Sequence, residues 1–193
     1  IDSPVDLEAF SRDFSMMEGG MPDYIVRPGN AGEVSEIVKF ANETGLPLIP
    51  SSSSVHFYGT TVPRFGGAIV DLSRMNRILD IDERNRMVKV EPGVKWGMLA
   101  GELAKQGLFA VPPLFPHSGK SVLTTYLERE PLIIPRYEFG DPLLAMEVVW
   151  PNGEVFRTGS ASVPGYPKSF CQGANPQGPG CMDFYRLLQG AQG

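Results

Sequence analysis

A chain of 193 residues that is 42% hydrophobic has enough apolar material for one domain core or for two small lobes. It carries 17 basic and 22 acidic side chains, a net charge of −5 with no basic run, so the electrostatic footprint of a nucleic-acid binder is missing. No apolar stretch reaches the length of a membrane span. Ile1 to Phe10 lacks the basic and apolar regions of a signal peptide, so a cytoplasmic protein is expected.

In chain order, Val5, Leu7, Phe10 and Phe14 recur near helical spacing and predict a helix within Ser3 to Met17, stopped by Gly19 and Gly20. Tyr24 to Arg27 reads as extended. Asn30 followed by Glu33 is a capping-box start, Val34, Ile37, Val38 and Ala41 form one apolar face, and Gly45 ends the helix. Leu46 to Ile49 is too short for a helix and reads as a buried strand. The result is a strand–helix–strand unit with parallel strands.

The loop Pro50 to Pro63 leaves the carboxyl end of that second strand, the edge where open α/β sheets bind ligands. Its four consecutive serines, Ser51, Ser52, Ser53 and Ser54, are followed by Val55 and His56, with Gly59 and Thr60 beyond. Successive backbone N–H groups in such a turn make a positively polarised concavity for an anion. Taken alone, a serine-rich stretch is more often a plain surface loop.

Ala68 to Leu72 is a third strand, and Ile78 to Ile81 with Met87 to Val90 form a hairpin around Asp82 to Asn85. Val94 to Gln106 is a second strong helix, with Trp96, Leu99 and Leu103 on one face and Gly107 closing it. Leu108 to Val111 reads as a short strand. A second polar loop, Phe115 to Arg129, opens into a short helix at Val122 to Leu127 and contains Pro116, His117, Ser118, Ser121, Thr124 and Thr125. Leu143 to Trp150 and Glu154 to Thr158 flank an Asn152-Gly153 turn and pair as a hairpin. Gly159 to Gly180 reads as a long loop, and Asp183 to Leu188 starts a last helix.

Several familiar signals fail. Gly119-Lys120-Ser121 resembles the end of a Walker A loop, but Leu114 stands where its leading glycine belongs. There is no G-x-G-x-x-G and no G-x-S-x-G. Cys171 and Cys181 match no zinc or iron–sulfur spacing and read as free thiols. His56 and His117, on separate loops, do not make a metal site. Asp80, Asp82, Glu83 and Asp141 read as solvated caps rather than paired catalytic carboxylates.

The ordered set is informative where no single motif is. Tyr24 to Pro28, Ala31 to Val34, Pro50 to Pro63, Val70 to Ile78, Val88 to Gly93, Glu147 to Val155 and Leu187 to Gly193 resemble, in order, segments of the FAD-binding domain of the vanillyl-alcohol oxidase and glycolate oxidase family of PCMH-type FAD-linked oxidases. The resemblance covers about Met21 to Gly193. It implies an α+β fold: a small parallel βαβ lobe packed on a second, mixed or antiparallel sheet lobe with helices. The implied organisation is an N-terminal helix over 1–20, then a flavin domain over 21–193 with lobes at about 21–80 and 81–193. The family's substrate cap, which carries the catalytic residues, would follow Gly193, so no catalytic residue is assigned.

The resemblance implies FAD as cofactor, with Ser51, Ser52, Ser53, Ser54, Val55, His56, Gly59, Thr60, Pro116, His117, Ser118, Ser121, Thr124 and Thr125 as the residues around it. Serines replace the glycines usual in the family's pyrophosphate loop, and Leu123-Thr124 stands where the second loop often has two glycines. Val55 occupies the position of the histidine that tethers flavin in some relatives, so non-covalent binding is expected. His56 is read as a hydrogen-bonded loop histidine, and His117 equally as a ligand contact or a surface side chain. The implied activity is oxidation of a 2-hydroxy acid or related alcohol by hydride transfer to flavin, with a small-molecule substrate and an electron-accepting subunit as partners. The alternative is a binding or scaffold domain that kept the fold and lost FAD. Without the cap, exposed apolar surface predicts a homodimer or a soft C-terminal region.

Overall fold

The computed structural model describes residues 3–133 and 143–158, together with 188 and 190. Cys171, Cys181, Asp141, the predicted loop Gly159 to Gly180, the segment Leu187 to Gly193 apart from Leu188 and Gly190, and the predicted last helix apart from Leu188 lie outside them.

The first unit is a parallel three-stranded sheet in the order β1 (Tyr24–Val26), β3 (Ala68–Asp71), β2 (Leu48–Ser51). Ile25, Ile69 and Ile49 share one level of the register. β1 and β2 are therefore not neighbours, although a helix joins them: β3 lies between. All four residues of β3 are buried, and a strand covered on both faces belongs at the centre of a parallel sheet.

The connecting helix α2 (Ala31–Thr44) begins as its sequence predicts. Asn30 accepts a hydrogen bond from the Glu33 backbone N–H, while the Glu33 carboxylate reaches back to the Gly29 N–H. Gly45, at φ +70°, ends it. The apolar face is only half-buried at Val34, Ile37 and Val38; the fully buried positions are Ser35 and Ala41.

The second unit is built on α3 (Trp96–Lys105). Val94, Trp96, Leu99, Leu103 and Val122 form its core, packed by Ile78, Ile81, Val88 and Val90 of the antiparallel hairpin β4 (Ile78–Asp82) and β5 (Met87–Val90). The short helix α4 (Val122–Leu127) completes it, and Tyr126 meets the Trp96 ring edge-on at 5.7 Å. A second hairpin, β6 (Glu147–Val149) and β7 (Val155–Arg157), turns through Gly153 at φ +83°. It docks on α2, where the Ser35 hydroxyl and the Asn42 amide donate to the Gly153 and Pro151 carbonyls.

Parallel sheet, antiparallel hairpins and helices together make an α+β fold. Two predicted elements differ. The N-terminal helix α1 spans only Pro4–Glu8 and buries nothing, Val5 being 79% exposed. Its apolar residues have no face to pack on, so the chain leaves helical geometry and runs on as an irregular segment. Leu108 to Val111 is not a strand; only an isolated bridge, Pro113 to Leu132, forms nearby. Pro112 and Pro113 lack the N–H that a ladder requires. Among the described residues no helix is long and apolar enough to cross a membrane.

Candidate functional site

The serine loop begins at the carboxyl end of β2, where Ser51 lies beside Asp71 of β3 in the register. Asp71 is buried and accepts from the Arg27 guanidinium at 2.8 Å, so the carboxyl edges of all three strands are locked together. Ser51, Ser52 and Ser53 turn inward and are buried, while Ser54 is exposed.

Their hydroxyls knit the loop to itself. Ser51 Oγ donates to the Ser53 carbonyl at 3.0 Å and lies 3.2 Å from His56 Nε2. His56 Nε2 is 2.7 Å from the same carbonyl. A carbonyl only accepts, so Nε2 carries the proton and Nδ1 bears the lone pair. That Nδ1 is buried and has no hydrogen-bond partner among the described residues. Burial lowers the His56 pKa from 6.5, against the opposing pull of the Ser53 carbonyl. The ring is therefore neutral at pH 7.

The second loop meets the first directly. The Ser52 and Thr124 hydroxyls are hydrogen-bonded, and Val55 packs close to Gly119. Of the predicted site residues, Ser51 to Val55, His56 and Thr124 are thus brought together. Pro116, His117 and Ser118 are exposed on the rim of the second loop, and Thr60 is exposed on the first. Ser121 and Thr125 spend their hydroxyls within the second unit. Ser121 Oγ donates to the Pro92 carbonyl and caps α4, and Thr125 accepts from the Trp96 indole N–H at 3.0 Å. Gly59 adopts φ +75°, but its N–H is taken by the Asp13 carboxylate at 2.7 Å. Its open side faces Met17, so a Cβ there would collide with that side chain.

Sequence reasoning missed two sets of neighbours. Residues 11–17 lie against the first loop: the Phe14 N–H donates to the His56 carbonyl, and the Phe14 and Phe57 rings stand 5.8 Å apart. Lys120 is 1% exposed and paired with Glu128 and Glu130, beneath Phe57 and Tyr58. No local spacing announces either contact, because each joins segments distant in the chain or sits in a turn without periodicity.

A profile of the FAD binding domain matches residues 22–125, more than half of the chain. The chain belongs to the FAD-binding domain family. Relatives include glycolate oxidase subunit GlcD of Bacillus subtilis (strain 168), 32% identical over 82% of this chain and 34% of that protein. A 1'-carboxy-chondrochloren decarboxylase of Chondromyces crocatus is 39% identical over 73% of this chain and 27% of that protein. A mitochondrial D-lactate dehydrogenase [cytochrome] of Arabidopsis thaliana is 34% identical over 72% and 25%. Among solved structures, p-cresol methylhydroxylase with substrate bound superposes with a TM-score of 0.79 and 25% identity, covering 99% of this chain and 37% of that one. The chain spans about a quarter to a third of the length of the curated relatives it matches.

The two loops fit the cofactor of an FAD-binding domain in three respects. They adjoin at the carboxyl edge of a parallel sheet, Ser54 is exposed between them, and His56 Nδ1 is a buried acceptor without a hydrogen-bond partner among the described residues. In two respects they depart from a ready-made phosphate site: the Ser51, Ser52 and Ser53 hydroxyls already bond within the protein. Nearby charge is not positive either, since Lys120 is outnumbered by Glu128 and Glu130. A diphosphate here would be held by neutral N–H dipoles rather than by ion pairs.

Proposed function

We propose that this domain holds FAD in an oxidoreductase that oxidises a 2-hydroxy acid or related alcohol, with the flavin bound non-covalently. The carrying observation is the junction of the two loops at the sheet's carboxyl edge through Ser52 and Thr124. The main chain of residues 52–56 would hold the pyrophosphate, Val55 and His56 would face the cofactor, and Pro116 to Ser118 would form the opposite rim. When bound, FAD supplies acceptance of a hydride from the substrate carbon. The chain's own residues bind, orient and shield it. The names of the glycolate and D-lactate relatives favour the hydroxy-acid class.

In the same reading, 21–80 and 81–193 form the two lobes, and the substrate-binding residues come from sequence outside 1–193. Electrons leave to a separate subunit; one relative, 32% identical over 75% of this chain, is the 4-cresol dehydrogenase [hydroxylating] flavoprotein subunit of Pseudomonas putida, which its name makes one subunit of an assembly. A cytoplasmic homodimer is the assembly we infer.

A second reading, a scaffold that has lost FAD, draws on the inward-turned serine hydroxyls. The absorption spectrum of the purified whole protein separates the two. A flavin band, with FAD identified by mass in the released ligand, supports the first. A colourless protein that takes up no added FAD refutes it and leaves the scaffold.

A further inference from the structure

Lys120 is the largest fully buried side chain among the described residues and plays no part in the reading above. Its backbone is fixed to the core of the second unit: its N–H donates to the His117 carbonyl and its carbonyl accepts from the Trp96 N–H, both at 3.0 Å. The ammonium is paired with Glu128 and Glu130. Burial alone would push its pKa down, but the two carboxylates outweigh burial and raise it, so it stays charged.

The same ammonium lies 4.9 Å from the Phe57 ring centroid and 5.7 Å from that of Tyr58. Both distances are within cation–π range, and a desolvated cation makes this attraction strongest. Phe57 and Tyr58 are themselves partly exposed and belong to the first loop, between His56 and Gly59. A charge anchored to one unit therefore grips the loop of the other.

We propose that Lys120 is a positioning residue for the flavin: fixed between Glu128 and Glu130, it holds Phe57 and Tyr58 and keeps the serine loop in the form that takes the pyrophosphate. The inference rests on the flavin reading of the two loops. Buried and already paired with Glu128 and Glu130, the ammonium acts through the loop. Its effect is to remove open conformations of the loop, which raises affinity by preorganisation.

The test is a double-mutant cycle on the whole natural protein. Lys120→Met, Glu128→Gln and Glu130→Gln are combined, which removes the cation without stranding a buried carboxylate, and Phe57→Leu is made alone and on that background. Amide hydrogen exchange is followed in flavin-free protein, and FAD affinity is measured by fluorescence quenching. The neutral cluster should speed exchange at residues 56–60 about tenfold while leaving Leu99 and Leu103 unchanged, and should raise the FAD Kd by a similar factor. Phe57→Leu should weaken FAD binding alone but by less than about twofold on the neutral background. Unchanged exchange at 56–60, exchange raised everywhere alike, or effects that simply multiply would overturn the proposal. Wild-type protein that takes up no FAD sinks the flavin reading and this inference together. Equal FAD affinity with and without the cluster sinks this inference alone.

Discussion

The bond between Ser52 and Thr124 lends itself to a quantitative test, because each hydroxyl has the other as its side-chain partner and both residues are buried, at 6% and 3% exposure. Thr124→Val keeps the shape of the side chain and leaves the Ser52 hydroxyl buried without a partner. Ser52→Ala does the converse. An unsatisfied buried hydroxyl costs about 1–3 kcal/mol, whereas replacing both partners by apolar groups is nearly neutral. Each single variant should thus lose about 1–3 kcal/mol, and the double variant should lose less than the sum of the two, with a coupling of about 1 kcal/mol. For a chain of this size that is a fall in Tm of about 2–4 °C per kcal/mol. Denaturant unfolding of the four proteins measures the cycle. Single variants within about 0.5 kcal/mol of wild type, or a strictly additive double, would show that the two loops are not joined as described.

Other outcomes follow from the same structure. Gly67 has φ +91°, and a Cβ there would lie 2.5 Å from the Pro47 carbonyl oxygen. Gly67→Ala should therefore destabilise the parallel sheet by roughly 2 kcal/mol or more, read from the denaturation midpoint. Leu99→Ala opens a cavity in the core of the second unit and should cost about 2–5 kcal/mol in the same assay. His56 has a folded pKa below its unfolded value of 6.5. The unfolded chain then binds the extra proton, so the stability due to neutral His56 is present above pH 6.5 and lost as pH falls through the folded pKa. Stability measured from pH 7.5 to 5 should slope accordingly, and His56→Gln should remove that part of the slope. An unchanged slope in the variant would show that His56 is not the group responsible.

Local chemistry made much of this fold legible. The capping of α2 by Asn30 and Glu33, its end at Gly45, the β4–β5 hairpin and the start of α4 at Val122 all depend on residues a few positions apart. Such short-range hydrogen bonds and spacings can be read directly from the chain. The N-terminal helix occupies only Pro4–Glu8 of the periodic stretch, because apolar residues at helical spacing need a surface to bury them, and Val5 and Phe14 stay largely exposed. A hydrophobic period reports a preference that packing has to confirm.

The amino-acid sequence alone determined the order of the elements, the carboxyl-edge position of the serine loop and the family resemblance, because these follow from residues near one another in the chain. Tertiary structure alone decided that β3 separates β1 from β2, that the serine hydroxyls turn inward, and that Lys120 is a buried cation beneath the rings of Phe57 and Tyr58. Each of those outcomes depends on which distant groups compete for one buried place, and that competition exists only once the chain has folded.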